Sequence, residues 1–271
     1  MKIILFSGTA WRHIYFANEV LKNHDVVLNV RMKRTNNLSE ELKLPASAAD
    51  AALLKEHNDR RNAKEKEYFL SQGEAFLPAG RVVEVASEDF NGPEVISAVK
   101  SVKADLALVY GTTLIKKPLL EALNGILTIN LHAGLSPWYR GSTTLFWPIY
   151  FMEPQYAGCT FHVIDARIDH GQIIHQNRPE IFPKDELHDI GCRAIVKAAQ
   201  DIGPLLRKVE RKELKELVEQ KKAGKVFYSW DFKPHHLRIT NQLIRNEFFS
   251  EYLSNKDRFP DPFLITQFKI I

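Results

Sequence analysis

The residues best suited to chemistry lie in "NLHAGLSPWYRG", residues 130–141, which begins within an apolar run. Asn130 and His132 are two positions apart, and side chains at i and i+2 of a strand point to the same side. Ile129 and Leu131 then point the other way, toward a core. An amide can donate a hydrogen bond to a developing negative charge, and an imidazole can move a proton. The pair could instead cap a loop, so its interpretation depends on a third partner.

Asp169 in "ARIDHGQII" is the candidate third partner, on a predicted turn between two strands. A carboxylate beside a histidine orients the ring and selects its tautomer. Gly171 lets the chain turn tightly after it. A zinc site is an alternative, with candidate ligands His162, Asp165, Asp169, His170 and His175. These residues alternate across two predicted strands without a recognisable ligand spacing, so we predict no metal.

The elements that must position these residues follow an alternating β and α pattern. Short apolar runs predict strands at 2–6, 25–30, 82–86, 104–111 and 126–132. Most of them are separated by helical patterns, which favours parallel strands covered by helices. Two further predicted strands, 157–165 and 171–181, are joined by a short loop into a hairpin. We therefore predict an α/β fold: a Rossmann-like open, mostly parallel sheet with helices on both faces. Asn130 and His132 then lie at the carboxyl end of a strand, where such sheets bind ligands.

Composition limits the possible partners. The 271 residues are 45% hydrophobic, and 37 Lys and Arg against 33 Asp and Glu give a net charge of only +4. This mild balance argues against a dedicated nucleic-acid binder but is compatible with a phosphate-bearing small molecule. Two cysteines cannot form a disulfide framework, and neither a signal peptide nor a membrane-spanning run is predicted. We expect a cytoplasmic protein with no membrane insertion.

The spaced motif N-x-H-x-x-L-x-P-x-x-R-G, followed by "IDHGQII", resembles the folate-dependent formyltransferase family. Its residues here are Asn130, His132, Leu135, Pro137, Arg140 and Gly141, with Asp169 in the second segment. The family includes glycinamide ribonucleotide transformylase, methionyl-tRNA formyltransferase and the sugar N-formyltransferases. The resemblance covers residues 104–176 well and the rest more loosely. One departure is Gly134-Leu135-Ser136-Pro137, where many members have Ser-Leu-Leu-Pro.

The resemblance implies that Asn130, His132 and Asp169 are the catalytic residues and that 10-formyltetrahydrofolate is the co-substrate. In that mechanism Asn130 donates to the oxyanion formed when an amine attacks the formyl carbon. His132 manages the proton leaving the amine, or stabilises the oxyanion if it is protonated. Asp169 holds His132 and helps to pass the proton toward the departing folate nitrogen. No metal is needed.

The resemblance also implies where the folate binds. The family places the pterin against the end of the fourth strand and the loop that carries the aspartate. The residues implied here are Val109, Thr113, Leu114, Ile115, Asp165, Ala166 and Ile168.

The acceptor amine is predicted from several weaker features. The small-residue turn Gly8-Thr9 at the start of the first helix suits anion binding, and Arg12 could pair with phosphate. The candidate substrate-binding residues are Gly8, Thr9, Trp11, Arg12, Trp138 and Arg140. The resemblance is strongest to the nucleotide-sugar N-formyltransferases, which implies a GDP- or dTDP-linked 4-amino-4,6-dideoxyhexose used in surface polysaccharide synthesis. The alternatives are a methionyl-tRNA formyltransferase-like enzyme, a formyltetrahydrofolate hydrolase, or a non-enzymatic folate- or nucleotide-binding module.

The predicted domain organisation is a formyltransferase catalytic domain over residues 1–205 and a helical, aromatic-rich extension over 206–271. The extension is too short for the C-terminal β-barrel domain of methionyl-tRNA formyltransferases, so we expect no nucleic-acid partner. Its aromatic residues suggest a homodimer contact. The polar stretch at 35–77 is predicted to be a long solvated helical crossover without a direct substrate role.

Overall fold

Short apolar runs bounded by turn residues form a central sheet. The computed structural model describes residues 1–34, 47–73, 75–221 and 224–268. The strands are β1 Lys2–Gly8, β2 Asp25–Lys33, β3 Val82–Ala86, β4 Leu106–Tyr110, β5 Leu127–His132, β6 Tyr139–Gly141, β7 Cys159–Val163, β8 Ile173–Asn177 and β9 Lys225–Phe227. They form a seven-stranded sheet with the order β3-β2-β1-β4-β5-β7-β8 and a second sheet in which β6 pairs with β9.

The order of the strands creates a crevice at one end of the sheet. Strands β1 to β5 are parallel, whereas β7 and β8 form an antiparallel extension, so the predicted mostly parallel sheet is confirmed. The chain builds outward from β1 through β2 to β3 and then returns to place β4 and β5 on the other side of β1. Beyond the carboxyl ends of β1 and β4 lies the point where this direction reverses, which is where open α/β sheets bind ligands.

Helices cover both faces of the sheet. On one face α1 and α6 pack around a cluster that includes Phe16, Phe161 and Ile195. The opposite face carries α3 and α4 over a cluster that includes Phe6 and Leu119. The helices are α1 Trp11–Asn23, α2 Ala48–Phe69, α3 Pro93–Lys100, α4 Lys117–Ala122, α5 Trp147–Tyr150, α6 Leu187–Glu210, α7 Pro234–Arg245 and α8 Phe248–Ser254. Within the described part of the chain, no helix combines the length and the apolar character that crossing a membrane requires.

The crossover between β2 and β3 differs from the prediction. Residues 35–46 and 74 lie outside the described residues, and the rest of the segment contains α2. This helix packs against α1, α6 and α7, and it buries Leu54, Glu65 and Phe69. The prediction of a solvated crossover therefore holds for the exposed side of α2 but was wrong for the side that packs against these helices.

The C-terminal segment is joined to the rest of the fold by strand pairing and packing. The boundary predicted at 205 falls inside α6. Strand β9 pairs with β6, and Phe227, Phe232 and Leu237 share a buried cluster with Trp147. Several aromatic side chains that suggested a dimer contact are instead buried within this chain, namely Phe227, Phe232, Phe248, Phe249 and Tyr252. Trp230 and Phe263 remain exposed, and the homodimer stays a prediction.

The pairing of β6 with β9 requires a glycine. Gly141 has φ +91°, and a Cβ atom there would lie 2.1 Å from the carbonyl oxygen of Phe227. Gly141→Ala should therefore separate the two strands and lower the free energy of unfolding by clearly more than the roughly 1–2 kcal/mol of left-handed strain alone. The urea midpoint, compared at equal m-value, measures this loss.

Gly125→Ala is the matched control for that substitution. Gly125 has φ +83°, but an added Cβ atom would meet nothing within 4 Å. It should show the backbone strain without the clash. Equal losses in the two variants would contradict a steric role for Gly141.

Candidate active site

A cavity of about 540 Å³ lies at the carboxyl ends of β4 and β5. Its walls also include the start of α1, one side of α2, residues 141–146, the 164–169 loop, α6 and part of the C-terminal segment. This volume falls within the range of small-molecule sites. The cavity is at the reversal point of the sheet described above.

Three polar side chains meet at its edge. Because Asn130 and His132 are two positions apart on β5, both reach the same side, and Ile129 and Leu131 are buried in the core. Asn130 Nδ2 lies 3.3 Å from Asp169 Oδ1, and His132 Nδ1 lies 3.3 Å from Asp169 Oδ2. The structure thus brings together the amide, the imidazole and the carboxylate that were singled out in the sequence.

The turn that carries Asp169 is held tightly from several sides. Asp169 itself has φ +44°, and a Cβ atom on Gly171 would lie 1.7 Å from the carbonyl oxygen of Val163. Gln220 Nε2 donates to the backbone carbonyls of Asp169 and Gly171, at 2.9 and 2.8 Å. The backbone N–H of Gly141 donates to Asp169 Oδ2 at 2.9 Å. The position of this carboxylate is therefore set by strand β6 and by the C-terminal segment as well as by its own hairpin.

Both ring nitrogens of His132 face acceptors. Nε2 lies 2.8 Å from the carbonyl oxygen of Tyr139, and Nδ1 faces Asp169. Burial lowers the pKa of His132, while the negative charge of Asp169 opposes that shift. A neutral ring has one N–H and can satisfy only one of these acceptors. A second proton would find a partner already in place, so the ring is suited to take up a proton and release it.

Asp169 is held in its ionised form. Burial alone would raise its pKa, but His132, His162 and the N–H of Gly141 together lower it well below the usual range. A buried carboxylate that accepts several hydrogen bonds favours its charged state. It can therefore keep a proton on the facing nitrogen of His132 without taking that proton itself.

His162 belongs to this cluster, although the sequence analysis considered it only as a possible metal ligand. Its Nε2 lies 3.0 Å from Asn130 Nδ2 and 3.4 Å from Asp169 Oδ1, and its Nδ1 lies 2.9 Å from the carbonyl of Val163. If Nδ1–H donates to that carbonyl, Nε2 accepts from the amide and orients it. The antiparallel register Asn130↔His162 creates the contact. The sequence could have predicted this contact only if the register between β7 and β5 had been known.

The other residues of the zinc alternative contact other partners. His175 is paired with Asp201 at 3.2 Å, and His170 lies 3.5 Å from Arg167. The described residues contain no group of three or more His, Cys, Asp or Glu side chains arranged to hold a metal ion.

Most of the residues implied for folate line the cavity. They are Val109, Thr113, Leu114, Ile115, Asp165 and Ile168. Ala166 is exposed and is not among the described residues of the cavity wall. Thr113 Oγ1 is buried without a hydrogen-bond partner, and the Leu114 side chain is 49% exposed. This wall is therefore apolar with an unused hydroxyl group.

Of the residues predicted to bind the acceptor, Arg12 lines the cavity. Its guanidinium group forms an ion pair with Glu65 of α2. The remaining predicted residues are not among the described residues of the wall: Gly8, Thr9, Trp11, Trp138 and Arg140. Trp11 lies beneath Lys66, and Trp138 packs on Tyr156.

Helix α2 contributes four cavity residues that the sequence analysis missed. They are His57, Arg61, Glu65 and Phe69. Their regular spacing of four places them along one side of the helix. That spacing was the available signal, although the polar character of the stretch concealed it.

An open α/β sheet with a polar cluster and a cavity at its reversal point defines a small-molecule site of the Rossmann-like class. The formyl transferase family model matches residues 3–202. The chain therefore belongs to the formyl transferase family, and the resemblance found in the sequence is confirmed.

Individual proteins that this chain resembles are also formyltransferases. The chain is 30% identical over 122 residues to the methionyl-tRNA formyltransferase of Synechococcus sp. (strain JA-3-3Ab), a match covering 45% of this chain and 38% of that protein. It resembles the phosphoribosylglycinamide formyltransferase of Anaplasma phagocytophilum with TM-score 0.56 and 12% identity, covering 84% and 98% of the two chains. It also resembles WlaRD, a sugar 3N-formyltransferase whose structure was determined in the presence of dTDP and 5-N-formyl-THF. For WlaRD the TM-score is 0.54 and the identity 19%, covering 93% and 81%.

Two buried histidines in the cavity wall should make the stability of the protein depend on pH. His57 of α2 and His188 of α6 contact each other with ring centroids 4.7 Å apart, and burial lowers their pKa values to about 4 and about 3. Between the ordinary pKa of 6.5 and these values, the unfolded chain binds more protons than the folded one. The free energy of unfolding should therefore fall as pH decreases from about 6.5 to about 4.

His57→Phe should make that fall shallower, by up to about 1.4 kcal/mol per pH unit, because one fewer group takes up a proton on unfolding. Urea unfolding at a series of pH values measures the slope. His235→Phe, which changes an exposed histidine, is the control. An unchanged slope in His57→Phe would show that this pair does not govern the acid range.

Proposed function

We propose that the protein is an N-formyltransferase that moves a formyl group from 10-formyltetrahydrofolate to the amine of a nucleotide-linked amino sugar, for surface polysaccharide synthesis. The observation that carries the proposal is the contact of one carboxylate, Asp169, with both Asn130 and His132 at the edge of a ligand-sized cavity. Membership of the formyl transferase family supports the formyl-transfer part.

The cavity wall formed by the end of β4 and the 164–169 loop fits a folate. Val109, Ile115 and Ile168 offer apolar surface, and the partly exposed Leu114 extends it toward solvent. The buried, unpartnered Thr113 Oγ1 offers a hydrogen bond to a polar ring edge. An apolar wall with few polar groups suits a planar heterocycle.

When bound, 10-formyltetrahydrofolate supplies a formyl group whose carbonyl oxygen gains negative charge as an amine adds to its carbon. Asn130 Nδ2 is the N–H donor for that oxygen. The two N–H groups of this amide now face His162 Nε2 and Asp169 Oδ1. One of them must be released to the oxyanion, and the other contact keeps the amide in place. Loss of such a donor costs about 10²–10³ in kcat.

His132 accepts the proton that the amine must lose. The amine, or a water molecule that relays the proton, must then enter between the unprotonated ring nitrogen and the acceptor that this nitrogen now faces. Its lowered pKa keeps the ring neutral at neutral pH, and a second proton is stabilised by the Tyr139 carbonyl and by Asp169. Asp169 fixes the ring without becoming protonated, because its own pKa is strongly lowered. The proton can then be returned to the departing nitrogen.

The choice of a nucleotide-linked amino sugar rests on the cavity and on similarity of fold. Arg12 provides a cation in the cavity wall, which suits a diphosphate. WlaRD, which covers much of this chain, was crystallised with dTDP. Methionyl-tRNA formylation is the second candidate function, because the sequence matches include methionyl-tRNA formyltransferases such as that of Synechococcus.

The catalytic cluster should behave as one unit. His132→Ala should lower kcat by about two orders of magnitude or more with little change in folate Kd. Asp169→Asn should also lower kcat, and it should move the acid limb of the pH–rate profile to lower pH, because the carboxylate that raises the pKa of His132 is lost. The double variant should lose much less than the sum of the two effects.

Asp201→Asn is the matched control for those variants. Asp201 pairs with His175 in a buried contact outside the described cavity wall. This variant should lose stability but keep kcat. Near-normal kcat in folded His132→Ala would contradict the proposed role of the cluster.

The acceptor is tested by competition between amines. With radiolabelled 10-formyltetrahydrofolate, the formyl group should pass to GDP- or dTDP-linked 4-amino-4,6-dideoxyhexoses and not to methionyl-tRNA. Water should be a poor acceptor, which separates a transferase from a hydrolase. Efficient formylation of methionyl-tRNA with no transfer to the sugars would establish the second candidate instead.

A further inference from the structure

Helix α2 presents a row of cavity residues with different chemistry. His57, Arg61, Glu65 and Phe69 all line the cavity. At 1.5 Å per residue the row extends about 18 Å along the helix. One element inserted between β2 and β3 therefore forms a whole wall of the site.

One charged residue of this row has an ion-pair partner and another has none. The Glu65 side chain is 5% exposed and forms its ion pair with Arg12, whose side chain is 30% exposed. Arg61 has no ion-pair partner among the described residues, and its Nε is buried without a hydrogen-bond partner. The cavity thus has one arginine fixed by a carboxylate, whereas Arg61, and Arg34 after β2, line it without an ion-pair partner among the described residues.

The local environment penalises the charge on Arg61. Burial lowers its pKa, and the positive charge of Arg12 lowers it further, although Glu65 acts in the opposite direction. A partly buried cation without a partner is costly unless an anion joins it. An anionic ligand entering the cavity would remove that cost.

Carboxylates elsewhere in the cavity are not available to Arg61. Asp165 is paired with Arg167, and Asp169 is held by the histidines and by Gly141. The excess positive charge therefore lies on the α2 side of the cavity. A planar guanidinium group with forked donors matches phosphate oxygens in particular.

We propose that α2 supplies the anion-binding wall of the acceptor site, where Arg61, together with Arg12 as positioned by Glu65, binds the diphosphate of a nucleoside-diphosphate acceptor. The inference rests on the proposed function for the identity of the acceptor. It adds a specificity-determining residue, Arg61, and a role for the crossover helix.

Calorimetric binding of two defined probes, inorganic pyrophosphate and dTDP, tests the proposal. Arg61→Gln should weaken both by tenfold or more, whereas binding of 5-formyltetrahydrofolate should be unchanged. Arg60→Gln is the matched control, because Arg60 is the adjacent residue, is exposed and is paired with Glu186. It should stay within about twofold of wild type. Unchanged probe affinity in Arg61→Gln, or no binding of either probe to the wild type at millimolar concentration, would overturn the proposal.

Thermal unfolding distinguishes ligand binding from a structural role. Without ligand, Arg61→Gln should have a Tm equal to or above that of the wild type, because an unpaired cation is removed. Pyrophosphate should raise the Tm of wild type and Arg60→Gln but not of Arg61→Gln. A lowered Tm in ligand-free Arg61→Gln, with an intact pyrophosphate shift, would assign the residue to folding and overturn the inference.

The two proposals can fail separately. If wild type binds pyrophosphate through Arg61 but formylates no nucleotide-linked sugar, the anion wall stands and the assigned acceptor is wrong. If the protein formylates such a sugar and Arg61→Gln leaves its KM unchanged, the proposed function stands and the role of Arg61 is overturned.

Discussion

The rest of the site depends on the hydrogen bonds that satisfy the largely buried carboxylate of Asp169. A charge removed from water must be satisfied by hydrogen bonds, or it is strongly destabilising. Here the donors come from β5 and β6, since Asn130, His132 and the N–H of Gly141 face it, and His162 of β7 holds the amide of Asn130. These strands are therefore held in one relative arrangement, and the same contacts that satisfy the charge also orient the amide and the imidazole.

This dependence extends into the C-terminal segment. Gln220 holds the carbonyls of the turn that carries Asp169, and β9 pairs with the strand that contains Gly141. The C-terminal segment, which the sequence suggested was a separate aromatic-rich extension, thus helps to position Asp169. Two of its aromatic side chains, Phe227 and Phe232, pack in the core around Trp147, and Phe248 and Phe249 pack in a second buried cluster.

Much of the fold could be predicted from the sequence because it depends on local pattern. Apolar runs and turn residues predicted the strands. The alternation of side chains along a strand placed Asn130 and His132 on the same face. The contact of His162 with Asn130 could not be predicted, because it requires the register between β5 and β7. The cavity face of α2 was missed for a different reason: three of its four residues, His57, Arg61 and Glu65, are polar, so the usual hydrophobic periodicity is absent.

The location of α2 has a consequence for how such a site can change. Two of the proposed catalytic residues, Asn130 and His132, stand on β5 in the interior of the sheet, where an altered residue disturbs several neighbours at once. Helix α2 belongs instead to the connection that leads to β3, the edge strand, and it reaches the cavity with one side only. Among the described residues, His57 and Arg61 on that side make no hydrogen bond or ion pair with Asn130, His132 or Asp169. Ligand preference can therefore change at these two positions while the strands and the proposed catalytic residues keep their contacts.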